Sequence, residues 1–151
     1  VMFSYMGLVV GDLSSGFISQ IAGSSKKIVA IYLLLTMLCV VFYLFLPVKT
    51  AGFFYIACFT LGIAIGYWAL FVTIAAEQFG TNLRSTVATT VPNFIRGTVV
   101  PLTLAFKFLR GEMGIIHGAL VIGIVTIIIA FFALNVIDET FGRDLDFEEI
   151  D

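Results

Sequence analysis

The sequence predicts an all-α membrane protein, and three observations lead there. Apolar residues make up 60% of the chain and charged residues only 12%, with a mean hydropathy of +1.11. A soluble domain carries about 25% charged residues to cover its surface. This chain has too few for that, so lipid must be its main solvent. Its apolar residues fall in five runs, each of the roughly 20 residues that carry a helix across about 30 Å of hydrocarbon. The runs are also apolar all round. Barrel strands would be about half as long and would alternate in polarity, so helices are what satisfies the backbone in lipid.

The five expected spans cover residues 1–22, 28–46, 51–76, 86–109 and 115–136. Gly23-Ser24-Ser25-Lys26-Lys27 makes the first turn and Pro47-Val48-Lys49-Thr50 the second. Glu77-Gln78-Phe79-Gly80-Thr81-Asn82-Leu83-Arg84-Ser85 is a polar connection, and Arg110-Gly111-Glu112-Met113-Gly114 closes the fourth span. Such short loops make neighbouring helices antiparallel. Residues 1–136 read as one transmembrane bundle and 137–151 as an acidic tail, with no room for a soluble domain. The chain opens at Val1 inside an apolar run, with no basic segment or cleavage site, and reads as a piece of a longer protein rather than a signal peptide.

Lys and Arg counts set the expected orientation. Lys26, Lys27, Arg84 and Arg143 share one side; Lys49, Lys107 and Arg110 share the other. The excess places the first turn, the Glu77–Ser85 connection and the carboxy terminus in the cytoplasm. A net charge of −2 without a basic block argues against a nucleic-acid partner. Cys39 and Cys58 lie in apolar runs with no CxxC spacing, which reads as packing rather than a disulfide or a zinc site. No cofactor motif is present, nor the nucleophile–base set or metal cluster that an intramembrane enzyme needs.

Two charges fall where lipid does not tolerate them. Asp12 lies 14 residues before Lys26, and Arg96 lies 12 residues after Arg84. At about 1.5 Å per residue both sit roughly 18–20 Å from the inner surface. A lone charge there costs at least ~2.5–3.5 kcal/mol. Each lies on a polar stripe: Asp12, Ser15 and Ser19 on the first helix; Thr89, Asn93, Arg96, Thr103 and Lys107 on the fourth. Such stripes must face protein or water. The fourth helix also carries Pro92 and Pro101; Pro101 takes the usual partner from the Gly97 carbonyl, beside Arg96. Transporters build substrate sites from irregular backbone of this kind. Two roles stay open: Asp12 and Arg96 pair to fix helix packing, or they line a path in which Arg96 attracts an anion and Asp12 carries a proton or balances Arg96.

Weaker signals accompany these. Gly62 and Gly66 form a G-x-x-x-G, which reports close helix packing. Trp68, just after it, reads as packing or as a platform for a ligand. His117, the sole histidine, sits near the outer end of the fifth span, where an exposed or interfacial place is expected.

The turns carry a resemblance. Gly16-Phe17-Ile18-Ser19-Gln20-Ile21-Ala22-Gly23-Ser24-Ser25-Lys26-Lys27 resembles the G-x-x-x-D-x-x-G-[RK]-[RK] turn of major facilitator superfamily transporters, with Gln20 in place of the Asp and the basic pair displaced. The departures fit the degenerate second copy of that turn, between the eighth and ninth helices. Glu77-Gln78-Phe79-Gly80-Thr81-Asn82-Leu83-Arg84 is similar to the E-x-x-P-T-x-x-R segment after the tenth helix of sugar-porter-like members, with Gly80 replacing Pro. Asp138-Glu139-Thr140-Phe141-Gly142 is similar to their P-E-T-[KR]-G segment after the last helix.

The resemblance implies helices eight to twelve of a twelve-helix secondary transporter in the cell (inner) membrane, with the amino-terminal half missing. It implies a small polar solute, anionic or sugar-like, moved by alternating access, with protons as a coupling ion. It places Asp12, Ser15, Asn93 and Arg96 near the central path, with Trp68 as a further candidate. It assigns Gly16, Gln20, Gly23, Lys26, Lys27, Glu77 and Arg84 to a cytoplasmic gate. The alternative expectation is a structural membrane subunit whose buried charges only fix packing.

Overall fold

A computed structural model describes residues 1–45 and 50–141. The described residues are helical, with no strand among them. The helices are α1 (Met2–Ala22), α2 (Ser25–Phe45), α3 (Ala51–Ala64), α4 (Trp68–Glu77), α5 (Thr81–Met113) and α6 (Ile115–Val136). The second turn at 47–49 and the tail from 142 onward, with Lys49 and Arg143, lie outside the described residues.

Three stretches are long and apolar enough to cross a membrane by length and composition: Ser25–Phe45, Ala51–Glu77 and Ile115–Val136. Those lengths suit a multi-pass membrane protein. α1 and α5 are more polar for a visible reason: α1 holds Asp12 with Ser4, Ser14, Ser15 and Ser19, and α5 holds Arg84, Arg96, Lys107 and Arg110. Large apolar side chains such as Leu13, Phe17, Leu38, Phe94 and Phe132 are more than 60% exposed, the reverse of a water-soluble surface.

The expected third span is two helices. α3 stops at Ala64, and α4 starts at Trp68. Between them Ile65 has φ −90° and ψ 0°, and Tyr67 has φ −130° and ψ 20°. The fourth span is longer than expected. α5 runs 33 residues from Thr81 and continues through Pro92 and Pro101. Much of the polar connection is therefore the first turn of a helix.

Small residues decide how the helices meet. Gly7, Gly11, Ser15 and Ser19, four residues apart, are the buried positions of α1. Gly7 and Gly11 face α3 and the link after it, α3 being the partner with which α1 packs most extensively. A Cβ on Gly62 would lie 2.2 Å from the Ser4 carbonyl oxygen, and one on Gly66 would lie 2.4 Å from the Gly11 Cα. Backbone meets backbone here, the arrangement that gains van der Waals contact where lipid supplies no hydrophobic drive. A second cluster joins Ile28, Val29, Tyr32 and Leu33 of α2 to Leu70 and Ile74 of α4, with Phe131 and Leu134 of α6 against them.

Two glycines make the tight turns. Gly23 ends α1 at φ 62°, and its N–H donates to the Ser19 carbonyl at 3.0 Å, a left-handed cap. Gly114, at φ 83°, turns α5 directly into α6.

Candidate functional site

The break between α3 and α4 organises the middle of the molecule. A helix start leaves its first N–H groups without intrahelical partners, and Tyr67, at the cap of α4, supplies no side-chain bond. Asp12 of α1 supplies it instead: its Oδ1 accepts the Ala69 N–H at 3.2 Å. The carboxylate thus sits at the positive end of the α4 dipole. Neighbouring groups tie α2 to the same region. Thr36 Oγ1 donates to the Ala64 carbonyl at 2.8 Å. Tyr32 and Ser14 share a hydroxyl–hydroxyl bond of 2.8 Å, and the Tyr32 ring packs edge-on to Tyr67 at 6.2 Å. Trp68 begins α4 with its ring 5.8 Å from Phe71 and 38% exposed.

Arg96 lies elsewhere. α1 and α5 have no Cα pair within 8 Å among the described residues, because α1 packs on α2, α3 and α4 while α5 packs on α4 and α6. Arg96 is exposed, and its Nη1 donates to Asn93 Oδ1 at 3.4 Å. The expected Asp12–Arg96 pair is not formed. Ser15 also departs from expectation. It is fully buried and donates to the Asp12 carbonyl of its own helix at 3.0 Å, so it faces no open path. Ser19 bonds Ser25 at 2.9 Å. The Asp12–Ser15–Ser19 stripe divides: the two serines are buried, and Asp12 is half-buried and reaches α4.

The stripe on α5 stays intact and uncovered. Thr89, Asn93, Arg96, Thr103 and Lys107 are all exposed. Thr89, Asn93 and Thr103 satisfy themselves on carbonyls one turn back, at 2.7–3.2 Å.

Of the residues expected at a gate, Lys26 and Glu77 are brought to one end of the molecule by residues 137–141, a segment that expectation left out. Residues 137–141 run between the α1–α2 turn and the end of α4. Glu139 accepts hydrogen bonds from the Ser24 hydroxyl and, at 3.3 Å, from the Lys26 N–H. Lys26 Nζ donates to the Ile137 carbonyl. Thr140, 1% exposed, donates to Glu77 Oε2 at 2.6 Å. Gln78 Nε2 donates to the Asp138 carbonyl at 2.8 Å. Glu77 and Arg84 line one open cleft of about 490 Å³ between α4 and α5, with Thr73, Thr81 and Ser85. Gly23 shapes the turn. Gly16 is half-buried, and Gln20 and Lys27 are exposed. Burial works against the charged form of Glu139. The bonds from the Ser24 hydroxyl and the Phe141, Lys26 and Ser25 N–H groups outweigh that, so its carboxyl stays below the ordinary 4.5.

Compared with protein-family models, curated proteins and solved structures, the chain matches none.

Proposed function

We propose that this chain is the carboxy-terminal part, helices eight to twelve, of a secondary transporter of the major facilitator type, with five crossings of the cell membrane. In this reading α3 and α4 together form one crossing, and α1, α2, α5 and α6 form the others. The protein moves a small polar, anionic solute by alternating access, and its carboxy terminus is cytoplasmic. One observation carries the reading: the stretch Ala51–Glu77, long and apolar enough to span, is interrupted at Ile65–Tyr67 beside the charged Asp12. Backbone breaks at membrane depth are tolerated where they line a cavity or lie buried in protein. Discontinuous helices with side-chain partners at the break are how transporters form substrate sites.

The turn, connection and tail that resemble the superfamily's cytoplasmic segments meet at one end of the molecule, which supports the same reading. The exposed α5 stripe supplies the anion-attracting charge, Arg96, on a face left for the amino-terminal half and the solute. Asp12, expected to carry a proton or to balance Arg96, accepts the Ala69 N–H at the start of α4.

The test uses the full-length protein in proteoliposomes with a panel of small carboxylates. Arg96→Gln should abolish uptake of the carboxylate that the wild type carries, with expression and insertion unchanged. Uptake that survives the change would assign Arg96 to packing and remove the anion argument.

A further inference from the structure

We propose that Asp12 is a positioning residue: its carboxylate oxygen serves as the N-cap of α4 from another helix, and it thereby fixes the place of Trp68. Three independent features point to this role. The first is need. α4 starts directly after a non-helical Ile65–Tyr67 link, and no side chain of its own caps it. The second is reach. Asp12 Oδ1 lies 3.2 Å from the N–H of Ala69, the second residue of α4 and the neighbour of Trp68.

The third is register. Asp12 directly follows Gly11, and a Cβ on Gly66 would lie 2.4 Å from the Gly11 Cα and 2.7 Å from the Asp12 backbone nitrogen. The glycine seam therefore brings the Asp12 backbone against the break, and only a short acceptor side chain fits the remaining distance. Asp and Asn both act as strong caps, because capping needs an oxygen acceptor and not the charge itself. An alanine there leaves the Ala69 N–H unsatisfied.

The consequence concerns Trp68. The link before it is irregular, and the bond to Asp12 holds the first turn of α4 to α1. Without that bond the first turn frays, and the indole, 38% exposed and packed beside the Phe71 ring, loses its fixed orientation. The assignment goes beyond the transport reading and does not depend on it. It also separates two fates of Asp12 that the sequence leaves joined: a proton carrier needs a titratable group, whereas a cap needs only an acceptor.

The test is spectroscopic. Trp68 is the single tryptophan of this 151-residue sequence, and in a longer chain its signal is isolated by subtracting the spectrum of Trp68→Phe. Steady-state anisotropy of Trp68 is recorded in nanodiscs for wild type, Asp12→Asn, Asp12→Ala and Thr36→Val. Asp12→Asn should keep the wild-type anisotropy, and Asp12→Ala should lower it. Thr36→Val, which removes a different bond to the same break, should leave it unchanged. If Asp12→Ala fails to fold while Asp12→Asn folds with wild-type anisotropy, the acceptor role stands. Unchanged anisotropy in Asp12→Ala would overturn the proposal. So would an Asp12→Asn variant that behaves like Asp12→Ala, since the charge would then matter and the acceptor would not. Uptake is not read in this experiment, so failure of the cap and failure of the transport reading stay distinguishable.

Discussion

Glycines that look alike in the sequence have opposite weights in the fold. A Cβ at position 66 would press on the Gly11 Cα at 2.4 Å and on the Asp12 nitrogen at 2.7 Å. Both atoms are backbone, which cannot swing aside. A Cβ at Gly123 meets nothing within 4 Å. Overpacking of this kind costs about 1–3 kcal/mol. Gly66→Ala is therefore expected to destabilise the protein by that order, measured as earlier unfolding in an SDS titration of the reconstituted chain. Gly123→Ala should match or slightly exceed wild type, because alanine is the better helix former by up to about 1 kcal/mol. Equal losses from both variants would show that the α1–α3 seam does not hold in the membrane. At this same scale the two mid-span charges part company, Asp12 to a helix start and Arg96 to Asn93 and an open face.

The elements are held at one end by residues 137–141, and the hold there is expected to depend on pH. Glu139 has its carboxyl below the ordinary 4.5 because hydrogen bonds to its charged form outweigh its burial. A carboxylate whose folded pKa is depressed contributes stability that is present above its unfolded value and is lost as pH falls through the folded one. The segment should therefore hold the α1–α2 turn fully above pH ~4.5 and loosen below it. Wild type and Glu139→Gln can be compared by thermal unfolding from pH 6 downward. Wild type should be the more stable near pH 6, and the gap should close as the pH drops below about 4.5. A gap that stays constant with pH would remove Glu139 from the clasp. Thr140→Val, which deletes the bond to Glu77 within a buried site, should loosen the segment at every pH. Increased protease access near residue 139 would report it.

At the scale of the whole molecule, the arrangement predicts which turns share a side. With α3 and α4 as one crossing, Lys27, Phe79 and Asp138 lie on one side of the membrane, and Thr50 and Arg110 lie on the other. Single cysteines at these positions, in a background with Cys39 and Cys58 replaced by alanine, can be labelled with a membrane-impermeant maleimide in oriented vesicles. The expected pattern is labelling of Thr50→Cys and Arg110→Cys from outside, and of the other three only after permeabilisation. Labelling of Phe79→Cys from the outside would mean that α4 folds back at the Ile65–Tyr67 break and that Ala51–Glu77 is no single crossing. The loss of membrane association that would otherwise follow from Arg96 at mid-depth is offset if α5 has protein or water on its polar face.

The sequence by itself determined the all-α class, the two ends of the last helix and the presence of stretches long and apolar enough to cross a membrane, because those depend on composition and run length alone. α6 was legible to the residue, and the Gly23 turn nearly so, since a glycine after an apolar run stops a helix locally. The two charges within apolar runs, Asp12 and Arg96, were also legible, because a charge in an apolar run stands out in any fold. The break between α3 and α4 was not: Ile65, Gly66 and Tyr67 include no proline, and the Gly11–Gly66 approach and the Asp12 bond found there join residues far apart in the chain. The partners of Asp12, Ser15 and Arg96 were equally out of reach, because spacing tells which face of a helix a side chain shares and not which helix lies opposite. Only the tertiary structure decided that α1 packs on α3 through small residues, that α5 lies away from α1, and that residues 137–141 bridge the α1–α2 turn to the end of α4. Those are contacts between residues far apart in the chain, set by which backbones can approach and which polar groups find partners there.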